Sequence, residues 1–130
     1  MKCSLSPKLQ GIGIDILGKK RVDELFLKHS QSDFQRLFPQ SEKSKVSLKH
    51  KKISQREFAR QFVAKEAFFK ALGGSWMGLE GFAAMELSYE SDNQFTIQTL
   101  PSGKTEHSIR ANGTFFDSKD WVGAQVILWR

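Results

Sequence analysis

Hydrophobic and polar residues alternate strictly near the start of the chain, where residues 11–16 read Gly-Ile-Gly-Ile-Asp-Ile. Successive side chains of a β-strand point to opposite faces of the sheet. The pattern therefore predicts a strand that has three isoleucines on one face and Gly11, Gly13 and Asp15 on the other. The carboxylate of Asp15 is expected to stand beside two residues that have no side chain.

A first helix is predicted from Arg21 to Leu37, with a break indicated near residues 30–32, and it ends before Pro39. The spacing of its apolar residues fits one buried helix face. A polar, lysine-rich connector follows at Ser41–Lys52 and forms either a loop or a short helix.

A second helix has the clearest end signals in the chain. Ser54 is its predicted N-cap, and Glu57, three residues later, completes a capping-box pattern. The helix is expected to run for about 18 residues to Leu72, because the glycine pair at 73–74 stops it.

Short β-like runs separated by turns follow from Gly78 onward. The predicted strands are Met85–Tyr89, Phe95–Leu100, Ser108–Ala111 and Trp121–Trp129. Turns are predicted at Pro101–Gly103 and at Asn112–Gly113. Strands at both ends of the chain with helices between them indicate an α+β fold.

Length and composition narrow the class of protein. A chain of 130 residues with eleven Phe and three Trp is large enough for one domain with a hydrophobic core, so we expect a single domain over residues 1–130. No apolar run approaches the length of a membrane span, and Cys3 has no second cysteine to pair with. We therefore expect a cytoplasmic protein with no membrane partner.

The net charge of +6 is unevenly divided along the chain. Residues up to Lys70 carry +9, and the remainder carries −3. A basic half favours an anionic partner, which is a nucleic acid, a phosphorylated small molecule or an acidic protein. Composition does not choose among these three.

The second helix carries charged residues in apolar surroundings. On a helical projection nearly every direction is apolar, yet Glu66 falls between Phe62 and Val63, and Lys70 lies one turn further along the same stripe. Charges in such surroundings are costly unless they are paired, hydrated or bound to an ion. One interpretation is a local ion pair between Glu66 and Lys70.

The other interpretation is a ligand site shared with the first strand. Two carboxylates from different elements, Asp15 and Glu66, together with Lys65 and Lys70, fit a site for a divalent metal and a phosphate. Mg²⁺ is usually held by one or two carboxylates plus phosphate oxygens, while lysines neutralise the remaining negative charge.

Two segments of the chain resemble the holo-acyl-carrier-protein synthase family of phosphopantetheinyl transferases. The first is Gly-Ile-Gly-Ile-Asp-Ile at 11–16 with Lys-Arg-Val at 20–22, and the second is Phe-Ala-Arg-Gln-Phe-Val-Ala-Lys-Glu-Ala-Phe-Phe-Lys-Ala-Leu-Gly at 58–73. The residues at 34–38 and 121–128 are similar to the family's intervening helix and last strand. The resemblance implies an antiparallel sheet that packs against a long central helix.

The resemblance also implies an activity. Members of this family transfer the 4′-phosphopantetheine arm of coenzyme A to a serine of an acyl carrier protein and release adenosine 3′,5′-bisphosphate. It implies that Asp15 and Glu66 bind Mg²⁺ and that Lys70 contacts phosphate in the catalytic centre. Lys65, Lys70 and Gly73 are implied as coenzyme A contacts.

Further roles follow from the same resemblance. The resemblance implies that Arg21 faces the acidic carrier protein. It also implies a homotrimer with active sites between subunits, which is the common assembly in this family. Because the serine hydroxyl must lose a proton, Glu66 is our candidate base, directly or through a water bound to the metal.

Departures from the family pattern leave a second interpretation open. Gln61 stands where the family has arginine, with Arg60 one position earlier, and Asp117 aligns with a family histidine. The family's Gly-Lys-Pro turn is absent near residues 93–95. The alternative is thus a weak or inactive homologue that binds a carrier protein or a synthase without transferring the arm.

A nucleic-acid-binding module is a third hypothesis, based on the basic half of the chain and its aromatic residues. This hypothesis leaves Glu66 on an apolar helix unexplained. No helix-turn-helix or RNA-recognition signature accompanies it in the sequence. We therefore expect no nucleic acid partner.

Overall fold

Five strands form one antiparallel sheet in the computed structural model of this chain, which describes residues 8–28, 54–74, 84–99 and 109–129. The elements in chain order are β1 (Leu9–Gly18), α1 (Lys19–Lys28), α2 (Gln55–Ala71), β2 (Met85–Tyr89), β3 (Gln94–Thr99), β4 (Arg110–Asp117) and β5 (Trp121–Trp129). The strand order is β1-β5-β4-β3-β2, and each neighbouring pair is antiparallel. The first strand of the chain therefore pairs with the last.

The helix α2 packs along one face of this sheet, mainly on β1 and β5. Its sequence is apolar in nearly every direction, so most of it is buried, including Val63, Ala64, Ala67 and Phe68. The inner residues of β2 to β5 complete the core beneath it. The α+β fold with an antiparallel sheet on a long helix is thus confirmed.

Both ends of α2 lie where the sequence predicts them. At the N-terminus, Ser54 Oγ accepts a hydrogen bond from the Glu57 backbone N–H at 3.0 Å. At the C-terminus, Gly73 adopts a φ of 80°, a conformation that glycine reaches without strain, and the helix stops.

The strand β1 lies unusually close to α2. A Cβ atom added to Gly13 would overlap the Ala67 carbonyl, and one added to Gly11 would overlap the Ala71 carbonyl. Only glycine allows the two backbones to approach in this way. The alternating pattern of β1 therefore places Gly11, Gly13 and Asp15 against the helix.

The other face of β1 is uncovered in the described structure. Its isoleucines remain about half exposed, at 50% for Ile12, 49% for Ile14 and 57% for Ile16. The predicted alternation is confirmed, since these isoleucines lie on the face away from α2.

The turn predicted at Asn112–Gly113 is wrong. Both residues lie inside β4, which extends from Arg110 to Asp117 and so is longer than the predicted strand at 108–111. The ring of Phe95 on β3 fills the space above Gly113, where a side chain would clash. An aromatic ring that covers a strand glycine restores the packing that the glycine lacks.

Other predicted elements have mixed outcomes. The first helix begins at Lys19 rather than Arg21, and residues 29–37 of that prediction lie outside the described residues, as do the connector 41–52 and the turn 101–103. The strands at Met85–Tyr89 and Trp121–Trp129 match their predicted bounds. Within the described ranges, neither helix combines the length and apolar character needed to cross a bilayer.

We predict that Gly13→Ala lowers the free energy of unfolding by about 2 kcal/mol or more, because the added methyl group must push β1 away from α2. Urea unfolding monitored by tryptophan fluorescence measures this loss. Gly18→Ala is the matched control, because its Cβ would meet its nearest neighbour, Asp120 O, at 4.0 Å. Equal stability of the two variants would contradict the tight contact.

Candidate active site

Asp15 lies on the helix side of β1, two residues after the second of the two glycines that contact α2. Its Cα is paired with Ala124 of β5, so the backbone is held on one side by the sheet. The Asp15 side chain is only 15% exposed. The carboxylate is therefore held at the junction of β1 and α2.

Lys70, in the last turn of α2, reaches this carboxylate. Its Nζ donates hydrogen bonds to Asp15 Oδ1 at 2.9 Å and to the Ile14 carbonyl at 3.2 Å. The Lys70 side chain remains half exposed. The local ion pair between Glu66 and Lys70 that spacing alone favours is therefore replaced by a bond from Lys70 to a different element.

Glu66 lies one turn before Lys70 and is half-buried. Burial raises the pKa of Glu66 above its usual value, the negative charge of Asp15 raises it further, and the positive charge of Lys70 partly offsets both. Two carboxylates from distant parts of the chain thus lie near enough to repel each other. The structure brings together Asp15, Glu66 and Lys70.

This group suits a divalent cation. A cation between two crowded carboxylates relieves their electrostatic repulsion. A hard cation such as Mg²⁺ binds one or two protein carboxylates and completes its coordination shell with phosphate and water oxygens. Among the described residues no three acidic, histidine or cysteine side chains form a cluster. The protein would therefore supply Asp15 and Glu66, and the remaining ligands would come from the substrate and solvent.

The other predicted site residues lie in different environments. Lys65 is fully buried within α2. Gly73 is exposed at the end of α2, and a Cβ there would meet no heavy atom within 4 Å. Arg21 is exposed on α1 and forms a surface ion pair with Glu24 at 3.4 Å.

The N-terminal half of α2 holds a second polar cluster that the sequence did not indicate. Glu57 Oε2 accepts hydrogen bonds from Tyr89 Oη at 2.8 Å and from Gln61 Nε2 at 3.0 Å. Arg60 is buried, donates to the Asp92 carbonyl and lies 4.6 Å from the centre of the Phe115 ring. These contacts join α2 to β2 and to the turn before β3.

Gln61 takes part in this cluster rather than in the carboxylate site. The side chain is 1% exposed, and its Oε1 has no hydrogen-bond partner among the described residues. Arg60 does not stand in for the missing arginine, because its guanidinium is engaged by the Asp92 carbonyl and by aromatic rings.

Asp117 lies beside a cavity of about 280 Å³ between α1, α2 and the β4–β5 hairpin. Lys19, Arg56 and Arg60 also line this cavity, together with a second carboxylate, Asp23. Arg60 precedes Glu66 by six residues, which is about 9 Å along the helix axis. The cavity is therefore separate from the carboxylate group.

The sequence grouped Asp15, Glu66 and Lys70 at one site, but it did not indicate the direct bond from Lys70 to Asp15 or the bond from Tyr89 to Glu57. Lys70 and Asp15 are 55 residues apart, and Tyr89 and Glu57 are 32 apart. Helical spacing reports only neighbours three or four residues away. The glycines of β1 were the sequence signal that could have indicated the contact between Lys70 and Asp15. We find no comparable signal for the contact between Tyr89 and Glu57.

Comparison with known proteins identifies a family. A model of the 4′-phosphopantetheinyl transferase superfamily matches residues 11–126. A holo-[acyl-carrier-protein] synthase of Bradyrhizobium sp. is 37% identical, and the match covers 91% of each protein. Another, from Granulibacter bethesdensis, is 32% identical over 91% of this chain and 77% of that protein.

Solved structures share the fold. The crystal structure of holo-[acyl-carrier-protein] synthase from Neisseria meningitidis has a TM-score of 0.73 at 24% identity, covering 93% of this chain and 98% of that one. A holo-(acyl-carrier-protein) synthase from Bacillus anthracis, solved in complex with CoA (3′,5′-ADP), has a TM-score of 0.63 at 23% identity, covering 93% and 96%.

We predict a pH-dependent difference in stability between the wild type and Glu66→Gln. Because the folded state raises the Glu66 pKa, the charged carboxylate destabilises the metal-free protein at pH 7, and protonation in acid relieves this. The variant should therefore be the more stable protein at pH 7, with the difference shrinking as the pH falls toward 4.

Urea unfolding in EDTA over this pH range measures the difference. Glu90→Gln, in the turn after β2, controls for the loss of an exposed carboxylate. A Glu66→Gln protein that is less stable than the wild type by the same amount at every pH would contradict the inferred repulsion.

Proposed function

Because the chain belongs to the holo-acyl-carrier-protein synthase family of 4′-phosphopantetheinyl transferases, we propose that it transfers the phosphopantetheine arm of coenzyme A to a serine of an acyl carrier protein. The products are the holo carrier protein and adenosine 3′,5′-bisphosphate. The observation that carries this proposal is the meeting of Asp15, Glu66 and Lys70 where β1 contacts α2.

Asp15 and Glu66 are the residues that would hold Mg²⁺. When bound, the cation supplies positive charge to the diphosphate of coenzyme A and lowers the cost of charge that develops during phosphoryl transfer. The carboxylates come from a strand and a helix whose backbones are in contact, so their separation is set by rigid elements. Such rigidity favours catalysis by positioning.

Lys70 and Glu66 account for two further requirements of the transfer, which are to offset the charge of the diphosphate and to accept the serine proton. The Lys70 side chain is half exposed, and we assign its ammonium to the diphosphate, where it offsets negative charge. Glu66 is the candidate acceptor for the serine proton, because a carboxylate positioned beside the reacting groups can accept a proton from a hydroxyl.

Gly73 and Lys65 complete the proposed coenzyme A site. Gly73 leaves the end of α2 free of a side chain, so a ligand can approach the backbone there. Lys65 is fully buried, so direct contact of its ammonium with coenzyme A requires the packing around α2 to change. We therefore propose a weaker contribution to coenzyme A binding for Lys65 than for Gly73.

Arg21 is the proposed contact for the carrier protein. It lies in the first turn of α1, which has no acidic residue and begins with Lys19 and Lys20. Positive side chains at a helix N-terminus oppose the helix dipole, so this arrangement favours an anionic partner. The ion pair of Arg21 with Glu24 is exposed and weak enough to be exchanged.

A homotrimer is the proposed assembly. The sheet face opposite α2 exposes apolar side chains from β1 and β5, and a monomer rarely leaves such a patch open. Its exposed members are Ile12, Ile14, Ile16, Trp121 and Trp129.

A weak or inactive homologue remains the second candidate. Gln61 is a buried amide that bonds Glu57, so the family's cation at this position is missing. Asp117 adds a carboxylate to the cavity between α1 and α2, although three basic residues also line that cavity. This candidate predicts binding of a carrier protein without transfer.

We predict that the chain, incubated with coenzyme A, Mg²⁺ and an apo acyl carrier protein, increases the carrier's mass by one phosphopantetheine arm. Asp15→Asn and Glu66→Gln should each lower the rate roughly a hundredfold or more, because they remove charge from the metal site. Intact-protein mass spectrometry over time measures the rate.

Glu90→Gln is the control, since it removes a carboxylate from a surface turn. A carrier protein that binds with no mass increase, for each carrier tested, would support the inactive homologue instead.

We predict that the wild type sediments as a trimer and that Ile14→Asp sediments as a folded monomer, because a charge on the open sheet face is costly to bury. Analytical ultracentrifugation measures the mass, and circular dichroism checks folding. Leu27→Asp is the control, since Leu27 is 86% exposed on α1 rather than on the sheet. An unchanged trimer in Ile14→Asp would show that this face is not the interface.

A further inference from the structure

Lys70 is bound to β1 through two hydrogen bonds. Its ammonium contacts Asp15 Oδ1 at 2.9 Å and the Ile14 carbonyl oxygen at 3.2 Å. Asp15 is only 15% exposed, and this contact occupies one of its two carboxylate oxygens. In the metal-free protein, Lys70 is the positive charge that offsets Asp15.

A divalent cation at the proposed site needs the same carboxylate. When Asp15 and Glu66 are both ionised, the two carboxylates and the Lys70 ammonium together carry one net negative charge. Adding a divalent cation to these three groups changes the net charge to one positive charge. Two cations on one poorly solvated carboxylate repel each other. An ammonium that remains on Asp15 therefore opposes entry of the cation.

We infer that Lys70 and the divalent cation compete for Asp15, and that cation binding releases the Lys70 ammonium from β1 for contact with the diphosphate of the donor. This inference rests on the proposed function, because it takes Asp15 and Glu66 as the cation's ligands. Lys70 thereby couples the two binding events: the cation binds weakly alone and more tightly once an anionic diphosphate accepts the displaced ammonium.

The Lys70 side chain is suited to this exchange. Half of it is exposed, so its flexible stem can turn away from β1 without opening the core. The two bonds it would give up are an ion pair that is exposed on the lysine side and one bond to a backbone carbonyl, and the incoming cation replaces the ammonium as the charge that offsets Asp15. Release is therefore inexpensive.

Titration of the 130-residue chain with Mn²⁺, followed by electron paramagnetic resonance in the absence of coenzyme A, tests the inference. Lys70→Met removes the charge and keeps an apolar stem, so its Mn²⁺ affinity should exceed that of the wild type by roughly three- to tenfold. Lys70→Arg keeps the charge and should bind Mn²⁺ like the wild type. Lys28→Met, on the exposed end of α1, controls for the change in net charge.

The same titration with saturating coenzyme A tests the release step. The advantage of Lys70→Met should disappear or reverse, because the wild-type ammonium then contacts the diphosphate. An affinity of Lys70→Met for Mn²⁺ that is equal to or below that of the wild type without coenzyme A would overturn the inference.

Asp15→Asn distinguishes this failure from a failure of the proposed function. It should abolish Mn²⁺ binding in every background. If Mn²⁺ binding is absent from the wild type or unaffected by Asp15→Asn, the proposed metal site is wrong. If binding depends on Asp15 but Lys70→Met is no tighter, only the competition is wrong.

Discussion

The contact between the backbones of β1 and α2 is the constraint on which the rest of the structure depends. Gly11 and Gly13 remove the side chains that would separate the strand from Ala71 and Ala67. Two residues further along the strand, Asp15 points to the same helix and meets its last turn. A larger residue at either glycine would widen the gap and move the carboxylate away from Glu66 and Lys70.

The same alternation determines the opposite face of the sheet. If the glycines and Asp15 face α2, then Ile12, Ile14 and Ile16 must face away from it. The described structure leaves them half exposed, and Ile12 lies opposite Ile127 of β5. A short sequence motif thus sets both the position of the carboxylate site and the apolar surface available for assembly.

The two halves of α2 serve different purposes. Its C-terminal half carries Lys70, which bonds Asp15 of β1, and Glu66, whose pKa the charge of Asp15 raises. Its N-terminal half carries Glu57, which bonds Tyr89 of β2, and Arg60, which contacts the Phe115 ring of β4. Two of the departures from the family pattern, Gln61 and Asp117, lie in the N-terminal half or beside its cavity, and the third lies at the start of β3. The residues proposed for the metal and the diphosphate retain the family pattern, which favours an active transferase over an inactive homologue.

The sequence alone determined the features that depend on local spacing: the alternation of β1, the ends of α2 at Ser54 and Gly73, and the family motifs around Asp15 and Glu66. Only the tertiary structure decided which groups meet across the fold. Lys70 bonds Asp15 rather than pairing locally with Glu66, and Gly113 lies in a strand beneath Phe95 instead of in a turn. The physical reason is that residue spacing determines only which side chains are neighbours within one helix or strand. Contacts between residues tens of positions apart depend on how the helices and strands pack together.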